Sequence, residues 1–463
     1  MTNTKRIAGA LAALAMALGA AAGAHEGNVP SGVPQLDHVF LIMMENHGYG
    51  QVVNNPSEPY MNALIADGKV SVATNYFAVG HPSLTNYLEI VGGSNFGVRS
   101  DNNPDWHDTA CQTNLASGII DADNAASISV LTVTNSKGQA VSYSVGGGAV
   151  CPISGSGADA VTEAVDNWNE VSKISPAGVT PAVFNHLADF DGVMALDQAS
   201  DIHGKTIADQ LVRAGRDWKS YQESLPLAGA DNVGFSNGTV TDLTDLSAPI
   251  WANLPASPGS YVKLYAAKHN PFVYFKSVQE NTEPGLGLGN VVPFDGTHGL
   301  YADLATGSVP AYSFIVPNQC NDQHGRSNGD SFCELDLSDD GTQNGLNPGL
   351  IAQGDSTIER LVASIKASPA WRDGKNAIVI VWDENDYSGV NTAPPAGQKF
   401  PPQNQNRVLL TVETSYRSSP VVQSNRHYNH FSLLRTIEAA LGLPCLNHAC
   451  DKDAAVMADL FAR

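Results

Sequence analysis

The chain has 463 residues, 43% of them hydrophobic, which is enough apolar material for a sizeable folded core and excludes disorder as the default state. Its 46 acidic residues against 25 basic ones give a formal charge of -21. So acidic a surface argues against nucleic acid or an anionic membrane as a partner.

In chain order, the first element is a leader. Lys5 and Arg6 precede an apolar run from Ile7 to Ala22 and the small triplet Ala22-Gly23-Ala24, the pattern of a secretory signal peptide over residues 1–24 with cleavage before His25. No later segment reaches spanning length without a charge or a Pro, so no stable membrane insertion is expected of the mature chain, 25–463, which is placed in the periplasm or outside the cell. In that compartment six cysteines should pair. The close pairs are Cys320 with Cys333 and Cys445 with Cys450, leaving Cys111 with Cys151, and no CxxC spacing favours a thiolate metal site.

Val39–Met44 is a continuous apolar, β-branched run, as are Phe272–Phe275, Tyr312–Val316, Ala377–Trp382 and Val408–Val412. Unbroken rather than alternating hydrophobicity predicts strands buried on both faces, as in a parallel sheet. Helical periods lie between them: Thr206–Ala214 with Gly215 as a stop, and Ser356–Ile365 with Asp355 as a cap. Strands alternating with helices predict an α/β fold, a three-layer αβα sandwich around a mainly parallel sheet. The Gly-, Ser- and Thr-rich interval at about 101–178, with alternating stretches at Ala126–Val133 and Ala140–Val145, is read as a β-rich insertion. Asp336–Pro348 and Thr392–Asn406 read as loops.

The chemistry concentrates where predicted strands end. Glu45 and Asn46 follow Val39–Met44, and Asp383 and Glu384 follow Ala377–Trp382. Ligands of open α/β sheets bind at that carboxyl edge, and adjacent acids there repel one another unless a cation separates them. Asp386 is a further acid, read as a loop residue. Ser83 opens a short helix with Leu84, Leu88 and Val91 on one face, where free N–H groups and the dipole would favour a deprotonated hydroxyl or an incoming phosphoryl group, or where it would simply be a cap. Thr85 is the rival hydroxyl. Asp322 and His324 follow Tyr312–Val316 and suit a second cation, a general acid for the leaving group, or a phosphate clamp. His430 starts a helix with Phe431, Leu434, Ile437 and Leu441 on its apolar face, as a neutral ligand, a hydrogen-bond donor or a cap; His47, His81, His298 and His427 are weaker candidates.

Taken together, Glu45-Asn46-His47, His81–Leu88, Val316–His324, Val379–Glu384 and Tyr428–Pro444 resemble the phosphoesterases that include bacterial acid phosphatases and phospholipases C, within the alkaline-phosphatase-like superfamily. The resemblance implies a divalent metal ion surrounded by Glu45, Asn46, Asp383 and Glu384, with the hydroxyl of Ser83 as nucleophile facing it and His430 as a further ligand. It implies Asn86 as a donor to a phosphoryl oxygen and Asp322 or His324 as the group assisting departure of the alcohol. Thr85 stands where the family usually has Pro, and Asn429 where an acid is common. The implied activity is that of an exported metal-dependent phosphoesterase, an acid phosphatase first and a phospholipase C or other phosphodiesterase second, acting on a small phosphate ester or a phospholipid headgroup. A catalytically silent exported binding protein is the reading from outside enzymes.

Overall fold

The computed structural model describes residues 26–80, 83–96, 130–134, 140–144, 202, 204–223, 225, 265–279, 281–294, 298–325, 333–334, 336, 342–385, 406–418 and 420–462. Eleven strands are found among them: β1 His38–Met44, β2 Ser71–Phe77, β3 Val130–Thr134, β4 Ala140–Ser144, β5 Trp218–Gln222, β6 Val291–Pro293, β7 Tyr312–Val316, β8 Asn376–Trp382, β9 Arg407–Thr414, β10 Gln423–Ser424 and β11 Tyr428–Asn429. Nine form one sheet in the order β10-β2-β9-β8-β1-β7-β5-β6, with β11 also paired to β2. Every pairing in it is parallel except the two made by β9, which runs against both β8 and β2.

The apolar runs become strands because helices cover both faces. Leu41 pairs with Phe314 in the β1–β7 register, and Phe314 meets Tyr87 and Phe272 edge-on, on the face taken by the helices Ser83–Gly92 and His430–Leu441. Phe40 alternates to the other face and meets Trp371, beside the helices Pro348–Ala367 and Pro59–Ala66. The expected three-layer sandwich with a mainly parallel sheet is therefore the observed one. In the predicted insertion, β3 and β4 form an antiparallel pair where alternation placed two strands; the rest of that interval, the leader, Cys111 and Cys151, His81, Asp386 and residues 392–405 lie outside the described residues.

Two local expectations are corrected. Phe272–Phe275 is not a strand: Pro271–Tyr274 forms a 3-10 turn with Pro at its first position, and only the bridge from Phe275 to Ile202 is strand-like. Proline fixes φ and removes the donor a ladder needs, so the unbroken hydrophobicity there reports burial alone. Nor does Asp355 cap the helix that it belongs to. The helix runs Pro348–Ala367, capped by the Asn347 side chain, and the Asp355 carboxylate instead accepts from the N–H groups of Tyr60 (2.8 Å) and Met61 (2.9 Å) in the first turn of Pro59–Ala66. The predicted helix over Thr206–Ala214 is found at Ile207–Arg213, with Thr206 and Asp209 closing a capping box.

Disulfides join Cys320 to Cys333 and Cys445 to Cys450 as the spacing suggested. The first closes the loop that carries Asp322 and His324. Replacing both Cys320 and Cys333 by Ala is expected to lower the unfolding free energy by about 2–4 kcal/mol, read from guanidinium denaturation; an unchanged midpoint would mean the crosslink constrains nothing.

Candidate active site

Because β1 lies between β7 and β8, its carboxyl end meets both neighbours. Met44 and Trp382 are register partners, the Asp383 N–H continues the ladder to Met44 O (2.9 Å), and on the other side the Glu45 N–H donates to Asp322 O (2.8 Å). Three strand ends thus bring Glu45, Asp322 and Asp383 side by side, all fully buried. Asn46 takes a left-handed conformation, φ 57°, which Asn tolerates better than most residues, and its N–H donates to Asp383 Oδ1 (3.1 Å). That Asp383 oxygen also accepts from the N–H of Glu384 (2.6 Å).

The helix that begins at Ser83 delivers the hydroxyl. Ser83 Oγ lies 3.1 Å from Glu45 Oε2 and 3.2 Å from Glu384 Oε1. A serine hydroxyl has one proton to donate, so two carboxylate oxygens around it leave one contact without a proton unless something positive joins them. Helix and turn are held together by Asn86, whose Oδ1 accepts from Val79 and Gly80 N–H (3.0 Å each) and whose Nδ2 donates to Gly80 O (2.8 Å) and Glu384 Oε2 (3.0 Å). Asn86 was expected to donate to a phosphoryl oxygen. Both its amide hydrogens are engaged here, one on the turn and one on Glu384.

His430 is engaged in the same way. Its Nε2–H donates to Asp383 O (2.6 Å) and its Nδ1 accepts from Tyr76 OH (2.8 Å), so neither ring nitrogen faces the carboxylates as a ligand. Burial lowers its pKa to about 4, which keeps the ring neutral and that pattern intact. Asn46 reaches the cluster through its backbone N–H. His47 bridges Glu45 O (2.9 Å) and Asp336 Oδ2 (2.8 Å), His427 packs on Phe77, and His298 accepts from Lys219 through its carbonyl.

The residues missed in the sequence come from the 3-10 turn Ala267–His269. His269 Nε2 lies 3.2 Å from Glu45 Oε1, and its Nδ1 lies 3.3 Å from Asp322 Oδ2. Its ring stacks on Tyr87, 8° from parallel with centroids 5.4 Å apart, and Tyr87 is one helical turn beyond Ser83. Lys268 Nζ lies 3.1 Å from His324 Nε2, and the His324 N–H donates to Asp322 Oδ1 (2.8 Å). The available signal was a Lys-His-Asn-Pro run inside a buried apolar stretch, where polar residues call for a reason.

Burial pushes the carboxyls of Glu45, Asp322 and Asp383 well above the usual carboxylate range, with the Asp383 charge next in importance for Glu45, the Glu45 charge for Asp322 and the Glu384 charge for Asp383. Lys268 opposes this at Glu45 and Asp322. One ammonium beside four carboxyl groups is too little positive charge to let all four ionise, and Asp383 Oδ2 is buried with no N–H donor. Glu45, His269 and His324 each offer a ligand atom within 4.8 Å of the others. Oxygen-rich, partly imidazole donors with an orphaned carboxylate oxygen fit a divalent cation.

The model of the Phosphoesterase family matches residues 54–444. The phosphatidylinositol-3-phosphatase of Mycobacterium tuberculosis is 21% identical over 446 residues, 96% of this chain and 89% of that enzyme. An acid phosphatase of Aspergillus fumigatus is 31% identical over 119 residues, which are 26% of this chain and 21% of that enzyme. Among solved structures, a protein in the alkaline phosphatase superfamily from Vibrio parahaemolyticus aligns with a TM-score of 0.37 at 12% identity, covering 90% of this chain and 69% of that one. No helix among the described residues is long and apolar enough to cross a membrane.

The raised carboxyl pKa values make stability depend on pH and on cations. Groups raised in the folded state stabilise fully below their unfolded values near pH 4 and cease to as pH climbs through the folded values. Chelator-stripped protein should therefore lose Tm progressively as pH rises above the unfolded carboxyl values, and a divalent cation should restore it at the upper end. Scanning calorimetry checks this; a Tm indifferent to Mg²⁺, Ca²⁺, Mn²⁺ and Zn²⁺ at the upper pH would contradict it.

Proposed function

The chain belongs to the phosphoesterase family and is a phosphoric ester hydrolase, and we propose that it hydrolyses phosphate monoesters with Ser83 as the nucleophile, as a metal-dependent enzyme of acid phosphatase type. The observation that carries this reading is the Ser83 hydroxyl held between Glu45 and Glu384, beside Asp383 and opposite the Lys268–His269 turn.

Glu45, Asp383, Glu384 and Ser83 would hold one divalent cation, and His269, His324 and Asp322 face the same space. Held there, a cation would neutralise these carboxylates, lower the pKa of a neighbouring hydroxyl and withdraw charge from phosphoryl oxygens. The chain's own groups supply the rest. Glu45 Oε2 and Glu384 Oε1 are the acceptors within reach of the Ser83 proton, and the helix N-terminus favours the negative oxygen left behind. Attack forms a Ser83 Oγ–P bond as the P–O bond to the alcohol breaks; the Asp322 carboxyl, whose protonated form burial favours, gives the departing oxygen its proton, while His324, its Nε2 accepting from Lys268 and its Nδ1–H on Gly325 O, holds Asp322 through its backbone N–H. Water then adds to phosphorus, the serine ester breaks, and phosphate leaves with Ser83 regenerated. Asn86 fixes the distance between nucleophile and Glu384, and His430 does the same for Asp383.

Monoester preference rests on Lys268, the ammonium buried in this site, whose charge suits the more negative of the two ester classes. A phosphodiesterase of phospholipase C type is the alternative within enzymes. Export is supported by the two disulfides, which persist in oxidising compartments, and by the leader.

With p-nitrophenyl phosphate, Ser83→Ala should lose at least about 10³-fold in kcat with Tm nearly unchanged; full activity in a folded variant would reject the nucleophile. Lys268→Met should lower kcat/KM on that monoester by about tenfold or more, and on bis-p-nitrophenyl phosphate by less. An equal loss on both, or a larger one on the diester, would favour the diesterase.

A further inference from the structure

Three locally costly features lie just behind the site and have one common explanation. Gln323 has a left-handed backbone, φ 79°, which a residue with a long side chain seldom adopts. Gly354 sits inside the 20-residue helix Pro348–Ala367, where glycine costs about 1 kcal/mol relative to alanine. Glu58 is a completely buried carboxyl. All three converge on the Gln323 side chain: a Cβ built on Gly354 would run into its Cγ, its Nε2 donates to Glu58 Oε1, and the left-handed turn aims it toward the helix.

The Gln323 amide is fully used. Nε2 donates to Glu58 and to Ile351 O (3.1 Å), and Oε1 accepts from the indole N–H of Trp382 (2.8 Å). Its chain neighbours are Asp322 and His324, and Trp382 immediately precedes Asp383. Resting on the site reading above, we propose that Gln323 is a positioning residue, whose buried amide ties the turn carrying Asp322 and His324 to the strand end carrying Asp383 and so sets the spacing of those groups around Ser83. The left-handed turn at Gln323 and the end of β8 fit this role. Asp322 and Asp383 turn toward the Ser83 face, while Gln323 and Trp382 turn toward the Pro348–Ala367 helix and meet beneath the reacting groups. The β7–β8 spacing runs through β1 between them, whose end holds the loop after β7 by the Glu45 N–H to Asp322 O bond, and the Gln323–Trp382 contact adds a direct side-chain tie from that loop to the end of β8. A one-ångström displacement of a catalytic group can cost about a hundredfold in rate.

Trp382→Phe deletes one N–H and keeps the ring. It should lower kcat on p-nitrophenyl phosphate by about tenfold or more, with KM little changed, at a temperature well below Tm. Gln323→Glu places a carboxylate against Glu58 and should lose activity similarly; adding Glu58→Gln, which returns a donor to that contact, should recover most of it. Wild-type kcat in folded Trp382→Phe, or no recovery in a folded double variant, would overturn the proposal. If Gln323→Glu does not fold, Trp382→Phe and the double variant decide. Ser83→Ala in the same assay separates the two levels: activity there removes the site reading, whereas inactive Ser83→Ala beside fully active Trp382→Phe removes the Gln323 tie alone.

Discussion

Burying carboxylates side by side is the constraint on which this molecule turns. Glu45, Asp322, Asp383 and Glu384 are withdrawn from water at one edge of the sheet, where burial first and neighbouring acids second disfavour the ionisation of Glu45, Asp322 and Asp383. Nothing in packing energetics rewards that arrangement. In the proposed reading a cation would neutralise the acids and a phosphoryl group would bring anionic oxygens to Lys268 and His269, and the Ser83 hydroxyl, held between two of the acids, is where both would meet.

Sheet topology makes the convergence possible. Parallel strands all end at the same edge, and placing β1 between β7 and β8 makes three chain segments remote from one another in sequence into immediate neighbours. The single antiparallel strand, β9, lets β2 join at the far side with its carboxyl end still at that edge, so the turn after it can lead into the Ser83 helix. Side chains behind the strand ends then set angles and spacings: Asn86 for the turn and Glu384, His430 and Tyr76 for Asp383, and Gln323 with Trp382 for the loop after β7. These contacts are buried amides, an imidazole and an indole, groups with fixed donor and acceptor directions, which suits them to position rather than to react.

Much of this was legible in the sequence, for physical reasons. A strand buried on both faces must be apolar at every position, so β1, β7, β8 and β9 announced themselves, and the acids after β1 and β8 were conspicuous because such positions rarely carry adjacent charges. Strands nearer the edges mix polar and apolar residues, and Ser71–Phe77 and Trp218–Gln222 carried no such signature. Phe272–Phe275 showed the opposite error, burial without a ladder, because Pro271 denies one. Candidate residues were found, but not their orientations: whether Asn86 and His430 turn toward substrate or toward the backbone depends on tertiary neighbours that no local pattern encodes. Lys268 and His269 were missed because their nearest site partners are remote in sequence and their own segment has no periodicity.

The most direct test of a carboxylate cluster built around a cation and a serine is crystallographic. Crystals grown with a divalent transition metal and orthovanadate, measured at the metal's absorption edge, should show an anomalous peak bounded by Glu45, Asp383, Glu384 and Ser83 Oγ, with vanadium joined to that oxygen. A peak elsewhere, or vanadate bound away from Ser83 with the carboxylates unliganded, would contradict the account.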